Sequence, residues 1–202
     1  LEEGAADTRT SMSPNEDETS YAVFWNETDC ISVNGIASES ISIQEDRRSA
    51  EFTFLKGFES ALYAAYPASV VSKYESGALT LLLPNVQTWS ESDQFDPAAA
   101  VMLAQAADGA SLRFRHAMAY LRVTLSEASD PEPIAAVVLS ANDGSALCGA
   151  FQATYGSDLW TLTPQESAAS QVELRCGTQG APLGSRMVIA IPVSYTHLRA
   201  HE

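Results

Sequence analysis

Residues 112–125 read LRFRHAMAYLRVTL, and this stretch decides the fold class. Leu112 and Phe114 alternate with Arg113 and Arg115, and beyond Ala117 and Met118 the pattern resumes as Leu121, Val123 and Leu125 interleaved with Arg122 and Thr124. A period of two sends successive side chains to opposite faces of an extended chain, whereas a helix repeats its apolar positions every three or four residues. The stretch therefore predicts β-structure with one apolar and one solvated face. His116 is read as a solvated strand-face residue, opposite Leu112 and Phe114, without a chemical role.

The same alternation recurs outward from this point. Ile31 and Val33, Ile41 and Ile43, Phe52 and Phe54, Leu79 and Leu81, Trp160 and Leu162, and Val172 and Leu174 each bracket a polar or small residue. Arg186-Met-Val-Ile-Ala-Ile191 is apolar without interruption and predicts a strand buried on both faces. Turn residues punctuate the series at Asn34-Gly35, Asp108-Gly109 and Asn142-Asp143-Gly144, which tolerate the positive φ of tight hairpins. Helical spacing is nowhere sustained. One short helix is expected over residues 96–104, opened by Asp96-Pro97 and favoured by Ala98, Ala99 and Ala100.

The expected fold is thus all-β, an antiparallel sandwich. The polar stretch 126–133, with Pro131 and Pro133, cannot continue a central strand and divides the chain into two sandwich domains, at 21–127 and 132–191. The second has fewer strand signals and reads as truncated. Residues 1–20 are polar, acidic and aperiodic, which predicts a flexible leader unless something pairs with it. Residues 193–202, VSYTHLRAHE, change character abruptly and carry two of the three histidines. All ten codons back-translate in frame to a transposase-type sequencing adapter, so this tail is expected to be foreign to the protein.

The 202 residues carry 11 Lys and Arg against 26 Asp and Glu, a net charge of −15. Nucleic acid and anionic membrane are both polyanions and would be repelled, so neither is expected as a partner. No apolar run approaches the roughly 20 residues that span a bilayer as a helix. Cys30, Cys148 and Cys176 lack paired spacing and read as small buried apolar residues.

A search for chemistry returns nothing to build on. There is no nucleophile elbow, phosphate loop, dinucleotide fingerprint or zinc-binding helix. Acidic clusters at residues 15–18 and 91–93 offer oxygen ligands but not the loop spacing of a calcium site. Asn26-Glu-Thr28 matches a glycosylation sequon. Trp25, Trp89 and Trp160, with Tyr63, Tyr66 and Tyr155, would suit a sugar-stacking platform and so a carbohydrate-binding module, but interleaving with Ala, Leu and Val favours core. No catalytic residue, cofactor or metal ligand is expected, and the chain reads as a non-enzyme.

At FWNETDCISVNG, residues 24–35, the sequence resembles the fimbrillin family of Bacteroidales surface proteins, whose members show a tryptophan followed by an Asp-x-Ile-x-Val strand at this place. The resemblance continues through AEFTF (50–54), YAAYP (63–67), LLPNVQ (82–87) and residues 112–125, then through 134–139, LCGAF (147–151) and 187–191. It implies two transthyretin-like sandwich domains and a structural subunit or adhesin of a surface fimbria, exported to the outer membrane as a lipoprotein precursor. It further implies cell adhesion to host or bacterial surface ligands, and assembly with other pilus subunits by β-strand addition after an Arg-specific protease trims the N-terminal segment. Arg9, in the leader, is the nearest match to such a processing site, with Arg47 or Arg48 as runner-up.

Overall fold

A computed structural model describes residues 11–14, 21–58, 61–90, 95–107, 111–126 and 132–193, with side chains from residue 24 onward. In chain order its strands are β1 (Ser11–Pro14), β2 (Tyr21–Phe24), β3 (Ser32–Val33), β4 (Ile36–Ala37), β5 (Ser40–Ile43), β6 (Ala50–Thr53), β7 (Leu62–Tyr66), β8 (Val71–Glu75) and β9 (Ala78–Leu83). They continue as β10 (Val86–Thr88), β11 (Met102–Ala106), β12 (Arg115–His116), β13 (Met118–Thr124), β14 (Ala136–Ser140), β15 (Gly149–Gly156), β16 (Leu159–Pro164), β17 (Gln171–Arg175) and β18 (Arg186–Pro192). The chain is all-β, as its alternation predicts. Only two single 3₁₀ turns, Ala68–Val70 and Pro97–Ala99, interrupt the strands among the described residues.

A five-stranded sheet, in the order β12-β11-β7-β3-β4, lies in the middle of the molecule. Its strands β7 and β11 are apolar on both faces. Ala64, Tyr66, Met102 and Ala104 pack on one side with Trp25, Ile31 and Val33, while Ala65 and Leu103 pack on the other with Leu79, Leu81, Phe151 and Trp160. The second set closes against a four-stranded sheet ordered β16-β15-β9-β8. A third core, built from Val172, Leu174, Met187 and Ile189, lies between the β10-β17-β14 sheet and the β13–β18 pair.

The polar stretch at 126–133 connects strands of shared sheets. β9 pairs with β15, β10 runs parallel to β17, and β13 pairs with β18 from Met118↔Pro192 to Thr124↔Arg186. Strands from both sides of that stretch therefore hold the same cores. The pairing is specific because each strand presents its apolar residues to a buried face, and a slip of one residue would turn them outward.

Several local expectations change. The helix over 96–104 shrinks to the Pro97–Ala99 turn: Asp96 accepts from the Ala98 N–H at 2.9 Å and from the Thr88 N–H at 2.8 Å, and the chain is extended again by Met102. Burial of Met102, Leu103 and Ala104 on the two faces of β11 overrides the helical bias of the alanines. The leader is not strandless, since Ser11–Pro14 pairs with Tyr21–Phe24 as an antiparallel hairpin. Asn34 and Gly35 form the β3–β4 turn with φ of 48° and 79°, as the dipeptide predicts. Gly144 has φ of 78°, but its turn links β14 to β15, which belong to different sheets and so form no hairpin. Asp108-Gly109, the two acidic clusters, Arg9 and residues 194–202 lie outside the described residues.

Two polar details fix the cores. Gln87 is 1% exposed, and its side chain behaves like a piece of strand: Nε2 donates to the Ala190 carbonyl at 2.7 Å while Oε1 accepts from the Ala190 N–H at 2.9 Å. This satisfies a backbone pair that would otherwise be buried unpaired. Gly149 has φ of 89°, and a Cβ there would lie 2.4 Å from the Ser167 carbonyl oxygen. Glycine is the residue that allows this close crossing.

Candidate functional site: an aromatic groove

The face of the central sheet that carries Trp25 is only partly covered. Val33, Leu62, Ala64, Met102 and Ala104 are buried, but Phe52, Phe54, Phe58, Leu112 and Phe114, which pack over them, remain half-exposed. Between these residues runs a groove of about 960 Å³. One wall is β6 and the residue after it, contributing Ala50, Phe52 and Phe54; the other is the segment 111–114 leading into β12. β6 pairs with β5 alone, so its second edge is unpaired among the described residues.

The floor is rigid. Trp25 is 9% exposed and meets Phe52, Tyr66 and Phe114 edge-on, at centroid distances of 5.2, 5.4 and 5.6 Å. Edge-to-face contacts add to simple burial because the positive ring edge meets the negative ring face. Tyr66 in turn donates to Asp29 Oδ1 at 2.9 Å, and the other carboxylate oxygen accepts from the Asn26 N–H at 2.8 Å. Phe54 and Phe58 form a further edge-on pair at 5.1 Å along the upper wall.

The turn between β5 and β6 is clamped to the backbone at Trp25, just after β2. Trp25 N–H donates to the Arg47 carbonyl at 2.8 Å, Arg47 Nε donates to the Trp25 carbonyl at 3.2 Å, and the Arg47 guanidinium also reaches Asn26 Oδ1. Arg47 and Arg48 both lie over the Phe24 ring, near 6 Å from its centroid. Arg47 is therefore held in a tight turn with φ of 55°. An extended substrate conformation for a protease is not available there without breaking these bonds.

The aromatic residues that would have made a sugar platform are placed otherwise. Trp25 and Trp160 are buried, Tyr66 is 2% exposed, and Trp89 is half-buried against the third core with Nε1 donating to the Arg186 carbonyl at 3.0 Å. The three cysteines are free thiols, and Cys30 is only half-buried where a buried residue is expected. Burial raises the Cys148 and Cys176 thiols above their ordinary range, so both stay protonated and behave as the small apolar residues expected. No group of three His, Cys, Asp or Glu suited to a metal ion occurs among the described residues.

His116 is exposed, but it does not sit opposite Leu112 and Phe114. Residues 112, 114 and 116 share parity, and β12 pairs His116 directly with Met102, on the groove side of the sheet. Its Nδ1 lies 3.2 Å from the Tyr120 hydroxyl, and burial lowers the imidazole below its ordinary value. The signal for the groove was present in the sequence as Phe52, Phe54, Leu112 and Phe114. What single strands could not reveal is that nothing described covers them. No protein-family model, curated protein sequence or solved structure matches this chain.

Proposed function

We propose that this chain is a fimbrillin-like structural subunit or adhesin of a bacterial surface pilus, joined to neighbouring subunits by β-strand addition. The observation that carries the reading is the aromatic groove beside the unpaired edge of β6. Such an edge offers main-chain donors and acceptors to an incoming strand, and the half-exposed Phe52, Phe54 and Phe114 offer pockets for its alternate side chains. One copy donating a strand while accepting another makes a head-to-tail contact that does not close, which yields a filament. The resemblance at residues 24–35 and 112–125 supplies the biological setting: a cell-surface lipoprotein precursor on the outer membrane, trimmed at Arg9 before assembly. The clamped Arg47 favours Arg9 over the turn as the trimming site.

The test is assembly. The chain is incubated with and without an Arg-specific protease and followed by size-exclusion chromatography and negative-stain microscopy. Protease treatment is expected to produce a ladder of oligomers and fibres, and Phe114→Arg in the groove to block them. Monomers alone, after verified cleavage at Arg9, would overturn the reading.

A further inference from the structure

Next to the aromatic groove, with which it shares Ser111, Arg113 and His116, lies a second cavity, of about 300 Å³, between the β11–β12 edge and the β15–β16 hairpin. We propose that it binds a small carboxylate with an apolar body, the carboxylate held by Arg113 and Arg115 and the body laid against Leu103, Trp160 and Leu162.

The register builds the site. Arg115 stands directly opposite Leu103 on the neighbouring strand, so both side chains leave the same face of the sheet. Leu103, Trp160 and Leu162 belong to the closed core on that face, which gives the cavity an apolar floor. Arg113, two residues before Arg115, lines the same space, and both arginines are exposed at its mouth. A guanidinium presents a planar fork of donors that matches the two oxygens of a carboxylate.

Charge makes the pair unusual. The chain carries 26 acidic residues and 11 Lys and Arg, yet residues 111–126 hold three arginines and no Asp or Glu. Lys73 is paired with Glu75 at 2.7 Å and Arg175 with Glu173 at 2.8 Å, while neither Arg113 nor Arg115 makes an ion pair among the described residues. Among the described residues the acid facing the cavity is Asp158, at the β15–β16 turn, where it accepts from the Tyr155 hydroxyl at 3.4 Å. Two guanidiniums against one carboxylate leave the described lining positive. His116 also borders the cavity, with Nδ1 turned to Tyr120. A volume near 300 Å³ lies at the small end of ligand sites and suits a short acyl chain or a single aromatic ring.

The experiment is calorimetric titration of the full 202-residue chain with octanoate, octanol and glucuronate, repeated for Arg113→Gln, Arg115→Gln and Asp158→Asn. Octanoate is expected to bind, and octanol to bind at least about tenfold more weakly because it brings no charge to the guanidiniums. Each Arg→Gln change is expected to weaken octanoate about tenfold, and Asp158→Asn to tighten it by removing the competing anion. That gain is one a merely structural role for Asp158 would not produce. Equal binding of octanol and octanoate, indifference to both arginine changes, or no octanoate binding at millimolar concentration would overturn the proposal. Binding of glucuronate in preference to octanoate would overturn the apolar body.

Discussion

The two faces of the central sheet make the most informative contrast in the molecule. On one face Ala65 and Leu103 are at most 1% exposed, and Leu79, Leu81 and Ala153 of the four-stranded sheet close over them. On the other, Trp25, Ile31 and Val33 are equally well packed at the bottom, but Phe52, Phe54, Phe58 and Phe114 above them stay half-exposed. Aromatic rings left half in water forfeit stabilisation that a covering strand would recover. A closed core has little apolar surface left to offer a partner strand, whereas a partly covered one keeps some.

The sharpest way to break this contrast is a matched pair of truncations. Leu81→Ala, in the closed core, is expected to lower unfolding stability by about 3 kcal/mol, because no neighbour can collapse into the space. Phe52→Ala, on the groove wall, is expected to cost less, about 2 kcal/mol, since the ring is only partly buried and water can enter the space it leaves. Urea denaturation of the two variants measures both. Equal losses would mean that the groove is ordinary core and would remove the basis for a docking strand.

Close to the second of these in size stands Gln87→Leu. The leucine fills the space, but the Ala190 N–H and carbonyl lose their partners, and a loss of about 2 kcal/mol is expected. Denaturation midpoints test it, and Gln87→Glu serves as the companion variant, able to accept from the N–H but not to donate to the carbonyl at neutral pH. A neutral Gln87→Leu would show that the amide fills volume only.

The smallest expected effect is on pH dependence. Burial holds His116 below its ordinary value of 6.5 in the folded chain, so as pH falls the unfolded chain takes up the proton first. Stability is therefore full above about 6.5 and declines as pH drops below it toward the folded value. His116→Gln should flatten that part of the profile, read as urea midpoints between about pH 7.5 and 5.5. The groove side of β12 is then the pH-sensitive face and the closed core is not; an unchanged slope in the variant would place the sensitivity elsewhere.

Legibility in the sequence followed exposure. β5, β9, β16 and β17 each have one face wetter than the other, and their alternation marked them in advance; in β13 the alternation marked a strand but not its buried face, since Leu121 is 40% exposed and Leu125, just beyond it, 45%. β7 and β11 read LYAAY and MLAQA, buried on both faces, and gave no period to detect. β11 even imitated a helix start through its preceding Asp-Pro-Ala-Ala-Ala. Leu112 and Phe114 alternate correctly but make no strand, because the ladder reaches only Arg115 and His116. The two arginines lining the smaller cavity looked like ordinary solvated positions until Leu103 appeared opposite one of them.

Read alone, the amino-acid sequence determined the all-β class, the more buried faces of β5, β9, β16 and β17, the Asn34-Gly35 turn and the absence of a recognisable catalytic motif. These depend on local periodicity and backbone preference, which act over a few neighbouring residues. Only the tertiary structure decided that strands across residues 126–133 share sheets, that Gln87 serves as a strand surrogate, and that the Trp25 core lies open along a groove. Each of those depends on which segments meet across a hundred residues of chain, and hydrophobic burial, being non-directional, does not name its partner.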